Sequence, residues 1–561
     1  MSQVPSLSAA EEAIWLASYP SGVPVRIDPD AFASVHAMLL NTCQRYRDRP
    51  AFDCLGATMT YGDWESASRC FATFLLTTLA RRQGDRVAIM LPNVLSYPVA
   101  FLGTLRAGLT VVNVNPLYTP RELEHQLKDS GATVIVIMEN FAHKLEAVLA
   151  ATPIEHVVVA RLGDLMRPLK RRIFNFANSR IRRAVPPWKF RRFTYFQAAT
   201  RSSAGGVFSE ARTAPNHVAL LQYTGGTTGV PKAAVLSHRN LVANALQCRS
   251  WIGTHFEPGG ERVLTPLPLY HIFSLTANLL IFASLGGLNV LVPDPRDLRG
   301  LIATMRRTRV TAMSGVNTLF NALLNTPEFS KLDFSALKLA IGGGAAIQTV
   351  VATRWQATTG TPLIEGYGLS EASPVVCINP PDGRARGGSV GLPIPSTELS
   401  IRDDEGRPVA VGEGGEIWVR GPQVMQSYWM RPDETRKVLT EDGWLQTGDV
   451  GMLDRDGFVK ILDRKKDVII VSGFKVFPNE VEEVVAHCPG VLEAAVVGVP
   501  DERTGEAVKL FVVKRDPDLT EDALRRHCRN NLTGYKLPKV VEFRDSLPKS
   551  NIGKILRKEL R

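Results

Sequence analysis

Along most of the first 460 residues, short continuous apolar runs alternate with longer stretches of helical periodicity. RVAIML (86–91), TVVNVN (110–115), ATVIVIM (132–138) and LNVLVP (288–293) read as strands. Pro120–Asp129 and Leu298–Arg307 read as helices between them. Strands without a polar alternate face, separated by helices, predict α/β layers with largely buried sheets. After about residue 388 the texture changes. DDEG, RDG and GEGGEIWV mark short antiparallel strands joined by Asp-Gly and Glu-Gly turns. A compact helix-strand pattern follows the basic cluster DRKKD (463–467), with a helix at EDALRRHCRNNL and a last apolar-basic helix at the end. The boundary is predicted close to Asp463, giving domains of 1–463 and 464–561.

A chain of 561 residues needs at least two cores. Its 45% hydrophobic and 22% charged content is that of a globular protein. Seven scattered cysteines form no CxxC pair, which favours reduced thiols in a cytosolic compartment over disulfides or a zinc site. The first residues lack a basic start followed by an apolar core, so a signal peptide is not expected. No segment reaches the ~18 apolar residues of a membrane span; Ile272–Leu285 is too short and carries Ser274, Thr276 and Asn278. The net charge of +11 is concentrated between 166 and 193, where ten Lys or Arg stand without an acid.

Candidate chemistry begins at YTGGTTGVPK. Gly225, Gly226 and Gly229 let backbone N–H groups approach phosphate oxygens, Thr224, Thr227 and Thr228 add hydroxyls, and Lys232 adds a charge. The loop follows the apolar run HVALLQ and precedes a helix start with Ser237 as its N-cap. It is not a Walker motif, because Val230 and Pro231 separate Gly229 from Lys232. KLAIGGGAAI (338–347) is a strand running into Gly342, Gly343 and Gly344. It fails as a dinucleotide fingerprint, since Ile347 stands where the third glycine belongs. A turn exposing its backbone to a flat adenine is the better reading, with a purely structural turn as the alternative. EGYGLSEASP (365–374) places an aromatic, a hydroxyl and two carboxylates together.

These segments, in this order, resemble the adenylate-forming superfamily of acyl-CoA synthetases, luciferases and adenylation domains. The resemblance covers nearly the whole chain. NVNPLYTPRELEHQLKDSGA (113–132), GVNTLFNALLN (315–325) and LTGYKLPK (532–539) are similar to its bacterial long-chain fatty-acid-activating branch. It implies α/β layers with an additional small β-barrel and a small mobile α+β C-terminal domain. It also implies ATP and CoA as co-substrates, Mg2+ as cofactor and a long-chain fatty acid as substrate for β-oxidation. Carried over position by position, Tyr223 joins the Gly/Thr loop and Lys232 in holding ATP. Glu365, Gly366 and Tyr367 line the adenine, with Tyr367 stacking on it. Ser370 meets the α-phosphate, and Thr224 and Glu371 hold the magnesium. Asp449 in WLQTGDVG takes the ribose hydroxyls, with Arg464 as its partner. His271 in PLPLYHIFSL stands beside the reacting carboxylate, or is a core histidine. Lys554 in LPKSNIGKILRKEL binds the carboxylate and α-phosphate oxygens. Lys466 falls at the hinge, and Gly473 in VSGFKVFPNEVEEVV lines the pantetheine tunnel after domain rotation. Ala233 departs from the usual glycine after the loop lysine.

On a helical wheel Leu169, Ile173, Phe176, Ala177 and Ile181 share an arc. Arg171, Arg172, Arg182 and Arg183 lie opposite, Lys170 and Arg180 intrude, and Trp188, Phe190 and Phe193 follow. The segment suits peripheral docking of a cytoplasmic protein on the anionic inner face of the cell membrane. A solvated basic insertion is the alternative, and no nucleic-acid motif accompanies it. Two other functions compete: an acyl-AMP ligase that loads a carrier protein, and a fatty-acid-binding or uptake protein at the inner membrane. The sequence leaves the oligomeric state open, a homodimer included.

Overall fold

The computed structural model describes residues 14–201, 208–224 and 231–561. Two large sheets dominate. The first runs in the order Ser427–Tyr428, Lys232–Ser237, Val218–Thr224, Thr110–Asn113, Arg86–Met90, Val134–Met138, His156–Ala160, Phe193–Tyr195. The second runs Leu392–Pro393, Val375–Ile378, Leu363–Gly368, Leu339–Gly342, Ala312–Gly315, Arg262–Thr265, Leu288–Leu291, Pro50–Cys54, Ala57–Thr60. Their central strands pair in parallel. Alternate side chains of one strand enter different cores: Val87 and Ile89 face the space between the sheets, Ala88 and Met90 the outside. The inner space is filled by helices Val35–Arg45, Tyr61–Thr73, Ser96–Arg106 and His238–Ile252. Each outer face carries its own helices, among them Pro120–Ser130 on the first sheet and Leu298–Thr308 with Thr349–Thr359 on the second. The result is five alternating layers, which is why these strands read as continuous apolar runs.

Local signals explain where elements begin. Helix Pro120–Ser130 has Pro at its first turn, a Thr119–Glu122 capping box and Gly131 in the left-handed region at its end. Ser237 caps helix His238–Ile252 as expected, its hydroxyl accepting from the Asn240 N–H. Ile272–Leu285 lies in the inner core rather than on any apolar surface. No helix among the described residues is long and apolar enough to cross a membrane. All seven cysteines are free thiols.

The antiparallel texture after residue 388 becomes four strands, Glu398–Arg402, Gly415–Arg420, Leu445–Leu453 and Val459–Arg464. They form an open sheet, where a small β-barrel was expected; the first and last strands remain its edges. A C-terminal lobe follows, built on Phe474–Val476, Ile469–Val471, Gly505–Lys514 and Val491–Asp501, with Val540–Phe543 parallel to Gly505–Lys514. Helices Pro478–Ala486 and Glu521–Asn531 cover one face of this sheet. The tail covers the other through Leu547, Ile555 and Leu560. That tail is not the expected helix. It is a tight turn closed by a bridge between Lys549 and Ile555, then a 3-10 turn at Arg557–Glu559. Gly553 at φ +87° makes the turn possible.

Candidate active site

Strands Val218–Thr224 and Lys232–Ser237 pair antiparallel, with Thr224 opposite Lys232. The strands flanking the Gly/Thr segment are therefore antiparallel neighbours, and the strand Lys232–Ser237 stands between that segment and the helix the sequence placed after it. Gly225, Gly226, Thr227, Thr228 and Gly229 lie outside the described residues. At the loop's ends, Thr224 Oγ1 donates to the Lys232 carbonyl (3.4 Å), and the Lys232 ammonium is held by Glu434 and lies over the Tyr428 ring. Two acceptor contacts hold the Glu434 carboxyl well below its usual range, from Lys232 and then Lys437. Tyr223 points into the outer core of its sheet and donates to Asp129 Oδ2 (2.7 Å).

The second sheet contributes the glycine turn and the strand beside it. Leu339–Gly342 and Leu363–Gly368 are parallel neighbours, so Gly342 aligns with Glu365. A Cβ on Gly343 would lie 3.1 Å from the Phe273 ring and 3.2 Å from the Gly366 carbonyl, so any side chain there would press on both. Gly344 has φ +77°. Burial pushes the Glu365 carboxyl up to about 7, and its Oε2 accepts from the Ile347 N–H (3.1 Å), which fastens the far end of the glycine turn. Tyr367 donates its hydroxyl to Asp449 Oδ2 (2.7 Å). Asp449 also faces Arg464 across the antiparallel pair of strands, 3.3 Å from carboxylate to Nε. A phenol, a carboxylate and a guanidinium are thus brought together, Tyr367 and Asp449 from positions 82 residues apart.

His271 caps the short helix Ile272–Ser274, Nδ1 accepting from the Phe273 N–H (3.3 Å). Burial, and then the nearby Lys554 ammonium, push its imidazole down to about 4. A neutral ring with Nδ1 accepting leaves Nε2–H as a donor, an assignment made from the bonding pattern. His271 can therefore orient an oxygen; it is poorly suited to carry a proton at neutral pH.

The C-terminal turn completes the cluster. Ile552 reaches within 3.5 Å of the Cβ direction of Gly344, and Asn551 Nδ2 lies 3.5 Å from the Tyr270 hydroxyl. The turn is closed by Ser550, whose N–H donates to the Lys554 carbonyl (2.7 Å) and whose Oγ accepts from the Lys554 N–H (3.1 Å). Burial, and then Arg464, lower the Lys554 amine to about 8, with Asp449 acting in the opposite direction. The structure thus brings Lys554, His271, the glycine turn, Asp449 and Arg464 together. It does not bring Gly473 there: this residue sits at φ +85° in the hairpin between Ile469–Val471 and Phe474–Val476, with nothing within 4 Å of a Cβ. Lys466 occupies the turn Lys465–Asp467 between the four-stranded sheet and the lobe, its amine lowered by burial and then Arg464.

Ser370 and Glu371 occupy a 3-10 turn that packs against both strands of the loop hairpin. Glu371 Oε1 accepts from the Tyr428 hydroxyl (2.7 Å), which aims the carboxylate. No group of three or more His, Cys, Asp or Glu among the described residues could hold a metal by itself. One oriented carboxylate and one threonine hydroxyl fit a magnesium ion that completes its shell with water and phosphate oxygens. The sequence reading missed the groups that hold these residues. Glu434 on Lys232, Tyr428 on Glu371 and Asp129 on Tyr223 are all contacts of long sequence separation, which no single motif pairs. Asp129 also accepts from Arg431 Nη2 at 2.5 Å.

Residues 39–429 match the AMP-binding enzyme family and residues 480–554 match the AMP-binding enzyme C-terminal domain. The chain is 53% identical over 550 residues to a long-chain-fatty-acid–CoA ligase of Yersinia pestis, covering 98% of both chains. It is equally, 53%, identical over 548 residues to the enzyme of that name from Salmonella typhimurium, again with 98% of each covered. Among solved structures it is similar to the anthranilate CoA ligase AuaEII in complex with anthranoyl-AMP, with TM-score 0.85, 25% identity, and 95% and 98% of the two chains covered.

Proposed function

The chain belongs to the AMP-binding enzyme family, and on that premise we propose that it is an AMP-forming long-chain fatty acid–CoA ligase. ATP and CoA are its co-substrates, and its acyl thioester enters β-oxidation. In the first half-reaction a carboxylate oxygen of the fatty acid attacks the α-phosphorus of ATP. The bond to the β-phosphate bridging oxygen breaks, and pyrophosphate leaves with that electron pair. In the second, the CoA sulfur, having lost its proton, attacks the acyl carbon and AMP departs.

The observation that carries this reading is the docking of the Lys554 turn against the glycine turn, beside neutral His271 and the Asp449–Arg464 pair. An ammonium held there offsets the charge that accumulates on the carboxylate and α-phosphate oxygens. Asp449 accepts from the ribose hydroxyls with Arg464 beside it, and Tyr367 covers the adenine. Ser370, Thr224, the Gly/Thr loop and Lys232 take the phosphates; Lys232 exchanges its Glu434 partner for phosphate when nucleotide enters. Bound Mg2+, held by Glu371 and Thr224, would neutralise phosphate charge. His271 Nε2–H orients the acyl oxygen.

Lys554 must withdraw before a thiol can approach from the same side. The two domains, 1–463 and 464–561, are proposed to pivot at Lys466, bringing Gly473 to the site, where an absent side chain leaves room for the pantetheine arm. The alternatives of a carrier-loading ligase and of a binding protein are less well supported, since the similar full-length proteins are named CoA ligases. The test is pyrophosphate release with palmitate, ATP and magnesium, followed by CoA-dependent turnover across acids from acetate to oleate. Lys554→Ala should lower pyrophosphate release by about 10²–10³. Palmitate binding without pyrophosphate from the parent protein would refute the proposal.

The protein is further proposed to act in the cytoplasm, docked on the anionic inner face of the membrane through 166–193. The support is that helix Pro168–Phe176 and the turn Ala177–Ile181 face Leu169, Ile173, Phe176 and Ile181 outward, the four 56–73% exposed. The inward side holds Arg171, which donates to Gln197, while Lys170 reaches the Gly56 carbonyl. Trp188, Phe190 and Phe193 differ from the sequence reading: they pack on one another and on the outer core, so the docking face is the helix alone. A second copy of the chain is a poor occupant, since the helix and turn carry Lys170, Arg171, Arg172 and Arg180 and no acid, so two such faces would oppose like charges.

A further inference from the structure

We propose that helix Asn317–Leu324 is the platform that locks the C-terminal lobe in its adenylating orientation, with Thr318 as the positioning residue for Lys554. The inference rests on the two-orientation reaction proposed above and deepens it by naming what holds one orientation.

Thr318 Oγ1 donates to the carbonyl of Gly553 at 2.9 Å, one residue before Lys554. A Cβ on Gly553 would stand 2.8 Å from that same Oγ1, so the glycine admits the hydroxyl to its backbone as well as shaping the turn. One helical turn on, on the same face, Asn321 Nδ2 donates to the carbonyl of Leu492 in the lobe's sheet (3.1 Å). A third contact extends the platform. Asn317 and Gln348 exchange side-chain and backbone bonds, and the Thr349 N–H donates to Glu483 on the lobe (3.1 Å). Two of these three contacts land on backbone carbonyls of the lobe, so they read its position rather than its side chains.

The helix itself cannot easily give way. Phe320 and Leu323 are fully buried, and Phe320 meets Trp355 edge-on with ring centres 4.9 Å apart. The polar face of an element fixed in the large domain's core therefore grips the segment that carries the mobile lysine. Breaking the Thr318 bond leaves the fold intact and loosens the Lys554 turn. A catalytic group misplaced by about 1 Å can lose much of its effect. Thioester formation takes place with the lobe elsewhere and does not use these contacts.

The experiment separates the half-reactions of the full-length protein. Pyrophosphate release from ATP and palmitate reports adenylation, and conversion of pre-made palmitoyl-AMP with CoA reports thioester formation. Thr318→Val, close in shape and lacking the donor, should slow adenylation about 3- to 10-fold, the worth of one ordinary hydrogen bond. Thioester formation should hold or rise. Thr318→Ser should restore adenylation, and Asn321→Ala should act in the same direction as Thr318→Val. Equal loss in both halves, no loss in either, or failure of the serine variant to rescue would overturn the platform. A parent protein that makes no acyl-AMP overturns the ligase reading itself, a distinct result.

Discussion

If Lys554 serves adenylation as proposed, its lowered amine should make that step sensitive to alkaline pH. The ordinary lysine value of 10.5 falls to about 8, chiefly through burial and next through Arg464. That drop is worth roughly 3 kcal/mol against the charged form. Below about pH 8 the ammonium is present and can offset developing phosphate charge; above it the free amine dominates and the rate should fall about tenfold per pH unit. The assay is kcat/KM for ATP in pyrophosphate release between about pH 6.5 and 9.5, since this quantity reports ionisations of the free enzyme. Stability should move the other way. Between about 8 and 10.5 the unfolded chain binds the Lys554 proton and the folded chain does not, so folding gains as pH rises through that window. The coincidence of falling adenylation with rising stability, other groups being equal, is the signature. Lys554→Ala should lack the rate limb. A parent profile flat to about pH 9.5 would refute the reasoning.

Two further outcomes are expected. Arg557 binds Asp463 Oδ1 (2.8 Å), Glu482 Oε2 (2.8 Å) and Asn479 Oδ1 (2.5 Å), so Arg557→Met leaves the buried Asp463 and the half-buried Glu482 carboxylates short of their cation. A loss of about 3–5 kcal/mol in denaturant unfolding is expected, and a loss below about 1 kcal/mol would contradict the pairing. Leu169 and Phe176, 73% and 61% exposed, can be changed together to glutamate without touching the core. Cosedimentation with anionic vesicles should drop while the melting temperature stays; unchanged, salt-sensitive binding would exclude the helix as the docking face.

What the sequence revealed follows from what it encodes locally. Strands such as Arg86–Met90 and helices such as Leu298–Thr308 were legible to within a residue or two, because burial on both faces and amphipathic period are properties of neighbouring residues. The Ser237 cap was legible for the same reason. Pairing was not. Nothing near Thr224 signals that Lys232 opens a strand opposite it, because the strand KAAVLS reads equally well as the entry to the helix. The tail was misread because its basic and apolar residues suit a helix, whereas Leu547, Ile555 and Leu560 are placed by a sheet face formed some fifty residues earlier. The glycine turn, Tyr367, Asp449 and Arg464 were each visible as motifs. Their convergence depends on the order of strands in separate sheets, which no local pattern contains.

Adjacent residues at the end of strand Val459–Arg464 hold opposite halves of the molecule. Asp463 accepts from Arg557 and from the Asn479 N–H, both in the C-terminal lobe, while Arg464 pairs with Asp449 in the four-stranded sheet. The seam therefore crosses the chain between two neighbouring side chains, Asp463 and Arg464, just ahead of the proposed pivot at Lys466. Any hybrid that exchanges the last hundred or so residues with those of a relative inherits this obligation: the aspartate must travel with the lobe that reads it, although by strand membership it belongs to the other parent.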